Sequence, residues 1–195
     1  MGSAPVFASI GEAMEMVQAG LSYLAAADAA QFAAQTQAEC LQGLEQADAV
    51  ATAARASFRS AFTAGQGYAA DADYSMLSWL MHRTGITRGA AVGHAAWAKR
   101  TGTHPKVLAA LAARQVSESV GRMICLWTGK LPEKFRDESD ELLIAAAAAG
   151  LDLRDLGAMF AEMYERARSE LPDEDPDGPL EDRALRAPDP AGVTP

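Results

Sequence analysis

The stretch PKVLAALAARQVSESVGRMICLWT, residues 105–128, carries the reading of the fold. Pro105 stands where a first helical turn tolerates a missing N–H, and the Ala- and Leu-rich run to Ala113 predicts a helix. Val120, Ile124 and Trp127 then recur at helical spacing and predict a second helix over Glu118 to Thr128. Gln115-Val116-Ser117 lies between them, an apolar residue to enter the core followed by a hydroxyl to cap the next helix. The same pattern recurs as Gly85-Ile86-Thr87 and Gly150-Leu151-Asp152, where glycine supplies the left-handed residue that ends a helix. Gln115 departs from that rule and needs a different turn. Turns of this kind join both DNA-reading helix-turn-helix units and ordinary helical hairpins.

Working outward, apolar spacing predicts helices over Tyr74 to Thr84, Arg88 to Arg100, Ser139 to Ala149 and Leu153 to Arg168. The last carries a stripe of Leu153, Leu156, Phe160, Met163 and Ala167. Upstream, Ile10, Met14, Val17, Leu21 and Leu24 alternate in steps of four and three, predicting a first helix of about residues 7–26. The pattern resets at Asp28. Leu41, Leu44, Ala51, Phe58 and Phe62 then predict a long helix of about residues 31–64, closed by Gly65-Gln66-Gly67. Such a helix reaches roughly 50 Å, enough to span its own bundle or to pack on a partner chain.

With 43 alanines and few β-branched residues, the expected fold is an all-α multi-helix bundle with successive helix-turn-helix units over about residues 72–169. Residues 1–169 read as one helical domain. Residues 170–195 hold six of the nine prolines and eight acids, which predicts a disordered acidic tail. That tail reads either as a solvated leftover or as a mimic of nucleic-acid charge.

Two cysteines far apart, Cys40 and Cys125, give no disulfide framework; both read as buried hydrophobes, and a cytoplasmic chain is expected. The N-terminus shows no signal-peptide pattern and no run is long enough for a membrane span, so no membrane partner is predicted. Net charge is −9, but residues 1–54 hold six acids and no base, residues 55–136 twelve bases and four acids, and residues 137–195 sixteen acids and five bases. The basic middle contains Arg83, Arg88, Lys99, Arg100, Lys106, Arg114 and Arg122. Arg88 and Lys99, eleven residues apart, fall about 20° from register on a helix and share a face that could hold phosphates. The competing reading is internal neutralisation by the acidic N-terminal helices and the segment from Asp137 to Glu141.

Catalytic patterns are sparse. His82, His94 and His104 stand twelve and ten residues apart with no ligand-spaced Cys or carboxylate, so no metal or cofactor is predicted and each reads as a surface or satisfied core histidine. Gly65-Gln66-Gly67 lacks the third glycine and the Lys-Ser/Thr of a phosphate loop. Asp71 and Asp73 read as caps of the following helix, and Trp79, Trp97 and Trp127 as core anchors. The chain is therefore expected to be no enzyme.

The segment Leu24 to Pro176 resembles the domain of unknown function 222, or 13E12 repeat family, which lies N-terminal to HNH endonuclease domains in high-GC bacterial proteins. The resemblance is carried by Leu24-Ala25-Ala26-Ala27-Asp28, Phe62-Thr63-Ala64-Gly65-Gln66-Gly67-Tyr68, Trp79-Leu80 and Thr84 to Ala91. It continues in His104-Pro105, Ala109 to Ala112, Gln115 to Ser119, Lys130-Leu131-Pro132-Glu133 and Gly150 to Leu156. Family members run on past a segment like Glu181 to Arg186 into the metal nuclease, whereas Ala187 to Pro195 depart from the pattern and the nuclease is expected to be missing. The resemblance implies association with DNA-processing proteins and transfers no functional residue. The leading expectation is a non-catalytic accessory module of an HNH-endonuclease-type protein, touching DNA backbone through the seven basic residues above. The alternative is a protein-interaction or homo-oligomerisation module, dimeric through the long helix, with no nucleic-acid binding.

Overall fold

The computed structural model describes residues 8–170, and among these the chain forms eight α-helices and no strand. They are α1 (Ile10–Ala26), α2 (Ala34–Ala64), α3 (Met76–Thr84), α4 (Arg88–Thr103), α5 (Pro105–Ala112), α6 (Glu118–Thr128), α7 (Glu133–Ala148) and α8 (Leu153–Ser169), with short 3₁₀ turns at Ala29–Gln31 and Gly67–Asp71. The expected all-α fold is present. The tail expected beyond Glu170 lies outside the described residues. Chain contacts divide the protein into two compact units between Glu45 and Gln46, a point inside α2.

In the first unit, the Ser9 hydroxyl accepts the Glu12 N–H at 3.1 Å and the Glu12 carboxylate accepts the Ala8 N–H at 2.6 Å, fixing the start of α1. Asp28 then caps the first 3₁₀ turn by accepting the Ala30 N–H at 3.2 Å. The Gln37 side-chain amide donates to the Ala29 and Phe32 carbonyls at 2.8 and 3.1 Å and ties that turn to α2. No residue of α1 is buried.

The second unit holds the core. Leu111, Ile124, Leu143, Leu156 and Val107 are fully buried, and each contributes about 1.5–3 kcal/mol of transfer free energy. Val107 and Leu111 of α5 meet α6 at Gly121, where an added Cβ would stand 3.2 Å from both side chains. From α2 the buried row is Ala49, Thr52, Ala53 and Ala56. Of the apolar series that predicted this helix, Leu41, Leu44 and Phe58 are exposed. In α8, Leu156, Phe160 and Ala167 are buried as expected, but Leu153 is exposed.

Helix ends follow local chemistry. Thr87, Ser117 and Asp152 each cap the next helix with a side-chain oxygen, as the three repeated turns predict. Gly85 and Gly150 take the left-handed conformation, with φ +68° and +95°. In the Gln115 turn that conformation falls on Arg114, φ +60°; the Arg114 N–H donates to the Leu111 carbonyl and the Gln115 N–H to the Ala110 carbonyl, a Schellman closure without glycine. The helix start expected at Ser139 lies at Glu133 instead, since Pro132 occupies the N-cap and the acids of the first turns favour the positive helix end. The α2 break falls at Gln66, φ 51°, while Gly67 is favoured by close approach: a Cβ there would run into the Phe62 ring, which itself packs on Trp79 with centroids 4.7 Å apart.

Candidate functional site

The seven basic residues separate into two groups. Arg83 donates to Asp71 at 2.6 Å, Lys106 to Glu141 at 2.5 Å and Arg122 to Glu118 at 2.5 Å, while the Arg100 guanidinium lies 4.5 Å from the centre of the Trp97 ring. The Lys106 ammonium is held above its usual range, and the Glu141 carboxyl below its own, by the hydrogen bond between them. Arg88, Lys99 and Arg114 are exposed and meet no carboxylate at ion-pair distance among the described residues. Arg88 and Lys99 both lie on α4, separated by about 16 Å along its axis.

Asp71 and Asp73 do not cap α3. Ser75 does so, accepting the Ser78 N–H at 3.1 Å. Asp71 instead accepts from the Trp79 indole at 2.6 Å as well as from Arg83, and Asp73 accepts from the Ser78 hydroxyl at 2.7 Å beside His82 at 2.8 Å. The Ser78 hydrogen bond, aided by His82 and Arg83, holds the Asp73 carboxyl below its ordinary value. The interactions are side chain to side chain because the chain turns through Gly67–Asp71 before the helix begins, which sequence spacing alone does not reveal.

His104, Thr128 and Asp140 form a buried polar trio. His104 Nδ1 stands 2.9 Å from Asp140 Oδ2, and the Thr128 hydroxyl donates to Asp140 Oδ1 at 2.6 Å. Asp140 and Thr128 are wholly buried and His104 is 4 % exposed, so the trio pins the α4–α5 corner to α6 and α7 inside the core. His104 is thus a satisfied core histidine. Among the described residues no group of three His, Cys, Asp or Glu side chains is arranged to hold a metal.

The two cysteines differ, which the sequence reading of both as buried hydrophobes missed. Cys40 is exposed and Cys125 is buried, and burial pushes the Cys125 thiol up to about 12. A thiol reagent at neutral pH is therefore expected to label one cysteine of the native protein and two after unfolding, counted by mass. Two equivalents in the native state would contradict this packing.

A cleft of about 280 Å³ lies among α2, α4 and α6, with Arg55, Arg59, His94 and Arg122 on its walls. The Arg59 guanidinium donates to His94 Nδ1, and the Trp97 indole donates to Glu118 at 2.8 Å. Of this group the sequence reading singled out only Arg122 as a functional candidate; Arg55 and Arg59 sit in a helix read for its apolar spacing, and nothing in the spacing joins them to His94.

The exposed apolar residues concentrate near the N-terminus. Ile10, Met14, Val17, Leu21 and Leu24 of α1 are 43–68 % exposed, and Leu41 and Leu44 of α2 are exposed as well. No helix among the described residues is long and apolar enough to cross a membrane.

No protein-family model, curated protein or solved structure matches this chain.

Proposed function

We propose that this protein is a non-catalytic helical interaction module whose α1 pairs with α1 of a second copy of the chain. The observation that carries the reading is the row Ile10, Met14, Val17, Leu21 and Leu24, spaced four, three, four and three, with every member exposed. That spacing is the seam of a coiled coil. None of the 17 residues of α1 is fully buried, and helices in proteins owe most of their stability to packing an apolar face, so α1 favours a partner. Residues flanking the seam are Gly11, Ala13, Gln18, Gly20 and Ala25, small or uncharged, whereas Glu12 and Glu15 fall on the outer face. Two identical helices could therefore approach without setting acid against acid, and a twofold contact is self-complementary. Sedimentation equilibrium is expected to give a dimer, and V17E with L21E a monomer of unchanged second-unit packing. A monomeric native protein at high concentration would remove the proposal.

A second reading, favoured by the carboxylate-free Arg88, Lys99 and Arg114, is that of an accessory module of HNH-endonuclease-type proteins holding DNA backbone. Duplex DNA should then be shifted on a gel at low salt and released steeply as salt rises, with R88Q and K99Q each weakening the shift. No shift at low salt, or none that salt weakens, would sink this reading.

A further inference from the structure

The cleft among α2, α4 and α6 has a charge arrangement that neither reading above uses. Arg59 is half-buried and meets no carboxylate at ion-pair distance among the described residues; its visible partner is the ring nitrogen Nδ1 of His94. A guanidinium has only donors, so the His94 ring nitrogen beside it supplies no counter-charge. Loss of hydration and the charge of nearby Arg55 both lower the Arg59 pKa, as expected of a cation lacking a counter-charge.

The two carboxylates on the walls do not supply it. Glu118 is engaged by the Trp97 indole and by Nε and Nη2 of Arg122, at 2.8, 3.2 and 2.5 Å. Asp48 stands 3.9 Å from Arg55, beyond a charge-assisted hydrogen bond. Three guanidinium groups thus face two carboxylates in a concave space of about 280 Å³, and the Arg59 fork keeps N–H groups beyond the one given to His94.

We propose that this cleft binds the terminal phosphate of a small phosphorylated molecule, with Arg59 as its principal ligand and Arg55 and Arg122 completing the charge. A dianionic phosphate matches several guanidinium forks better than a single negative charge does. The cleft volume suits a compact group, and a terminal monoester enters it end-on, whereas a backbone diester continues on both sides.

The test is a ¹H–¹⁵N titration of the full chain with inorganic phosphate, ribose 5-phosphate and, separately, a short DNA duplex. Both phosphates are expected to shift the amides of residues 52–59 and 90–97 saturably, and the duplex to leave these amides in place. Arg59→Gln should weaken phosphate at least tenfold and Arg59→Lys, which keeps charge but loses the fork, by less, while Lys130→Gln, an exposed cation away from the cleft, leaves it unchanged. Glu118→Gln releases Arg122 from a competing carboxylate and should tighten phosphate severalfold, a gain that impaired folding could not imitate. Non-saturable shifts, an unaltered affinity in Arg59→Gln, or shifts of this cleft by duplex alone would overturn the proposal.

Discussion

Asp140→Ala is expected to lower unfolding free energy by about 3–5 kcal/mol, the range for removing one partner of a buried charged or hydrogen-bonded pair. Asp140 is wholly buried and accepts from both His104 and Thr128, so its loss leaves His104 Nδ1 with only the longer contact to the Thr128 hydroxyl, at 3.4 Å. Thr128 is protected by an alternative, since its hydroxyl also lies 2.9 Å from the Ile124 carbonyl. Thr128→Val should therefore cost less than Asp140→Ala. Asp140→Asn keeps an acceptor for one neighbour and should fall between them. Urea denaturation measures all three, and a loss below about 1 kcal/mol in Asp140→Ala would mean that the trio is not the tie inferred here. Domains of this size are stable by about 5–15 kcal/mol, so the Asp140→Ala protein should lose at least about a fifth of its stability.

Leu111→Ala is the second large effect, expected to cost about 2–5 kcal/mol through lost transfer energy and the cavity left behind. Leu111 is fully buried in α5 and presses on α6 at Gly121. Gly121→Ala in the native background forces its new methyl to within 3.2 Å of Leu111 and Val107, a clash that rigid helices relieve poorly. Combining the two changes places that methyl against the cavity. The double variant should therefore be more stable than the sum of the single losses predicts, and thermal or urea melts of the four proteins close the cycle. Strict additivity would show that α5 and α6 do not meet at Gly121 as tightly as the structure has them.

Local sequence was informative wherever one residue's own backbone preference decides the outcome. Thr87, Ser117 and Asp152 cap helices because a side-chain oxygen beside an orphan N–H needs no distant partner, and the turns they close were legible for that reason. The same reasoning failed at Asp71 and Asp73. Their carboxylates had the right chemistry for caps, but Ser75 stood nearer to the helix start and the acids were left to bind Trp79, Arg83, Ser78 and His82. In α2 the apolar period gave the helix but not its buried face, which is Ala49, Thr52, Ala53 and Ala56. An alanine row permits closer helix approach, and Phe58 of the same unit stays exposed.

By itself, then, the order of residues determined an all-α chain, the helix starts at Thr87, Ser117 and Asp152, and the concentration of positive charge in the middle third, because these depend on propensity, capping and composition. Tertiary structure alone decided which charges are spent and which are spare. Arg83 and Lys106 lie against Asp71 and Glu141, while Arg59, thirty-five residues from His94, comes to share a cleft with it. Charge is a property of a residue, but its availability depends on which side chains folding brings within a few ångströms, and no helical period encodes that distance.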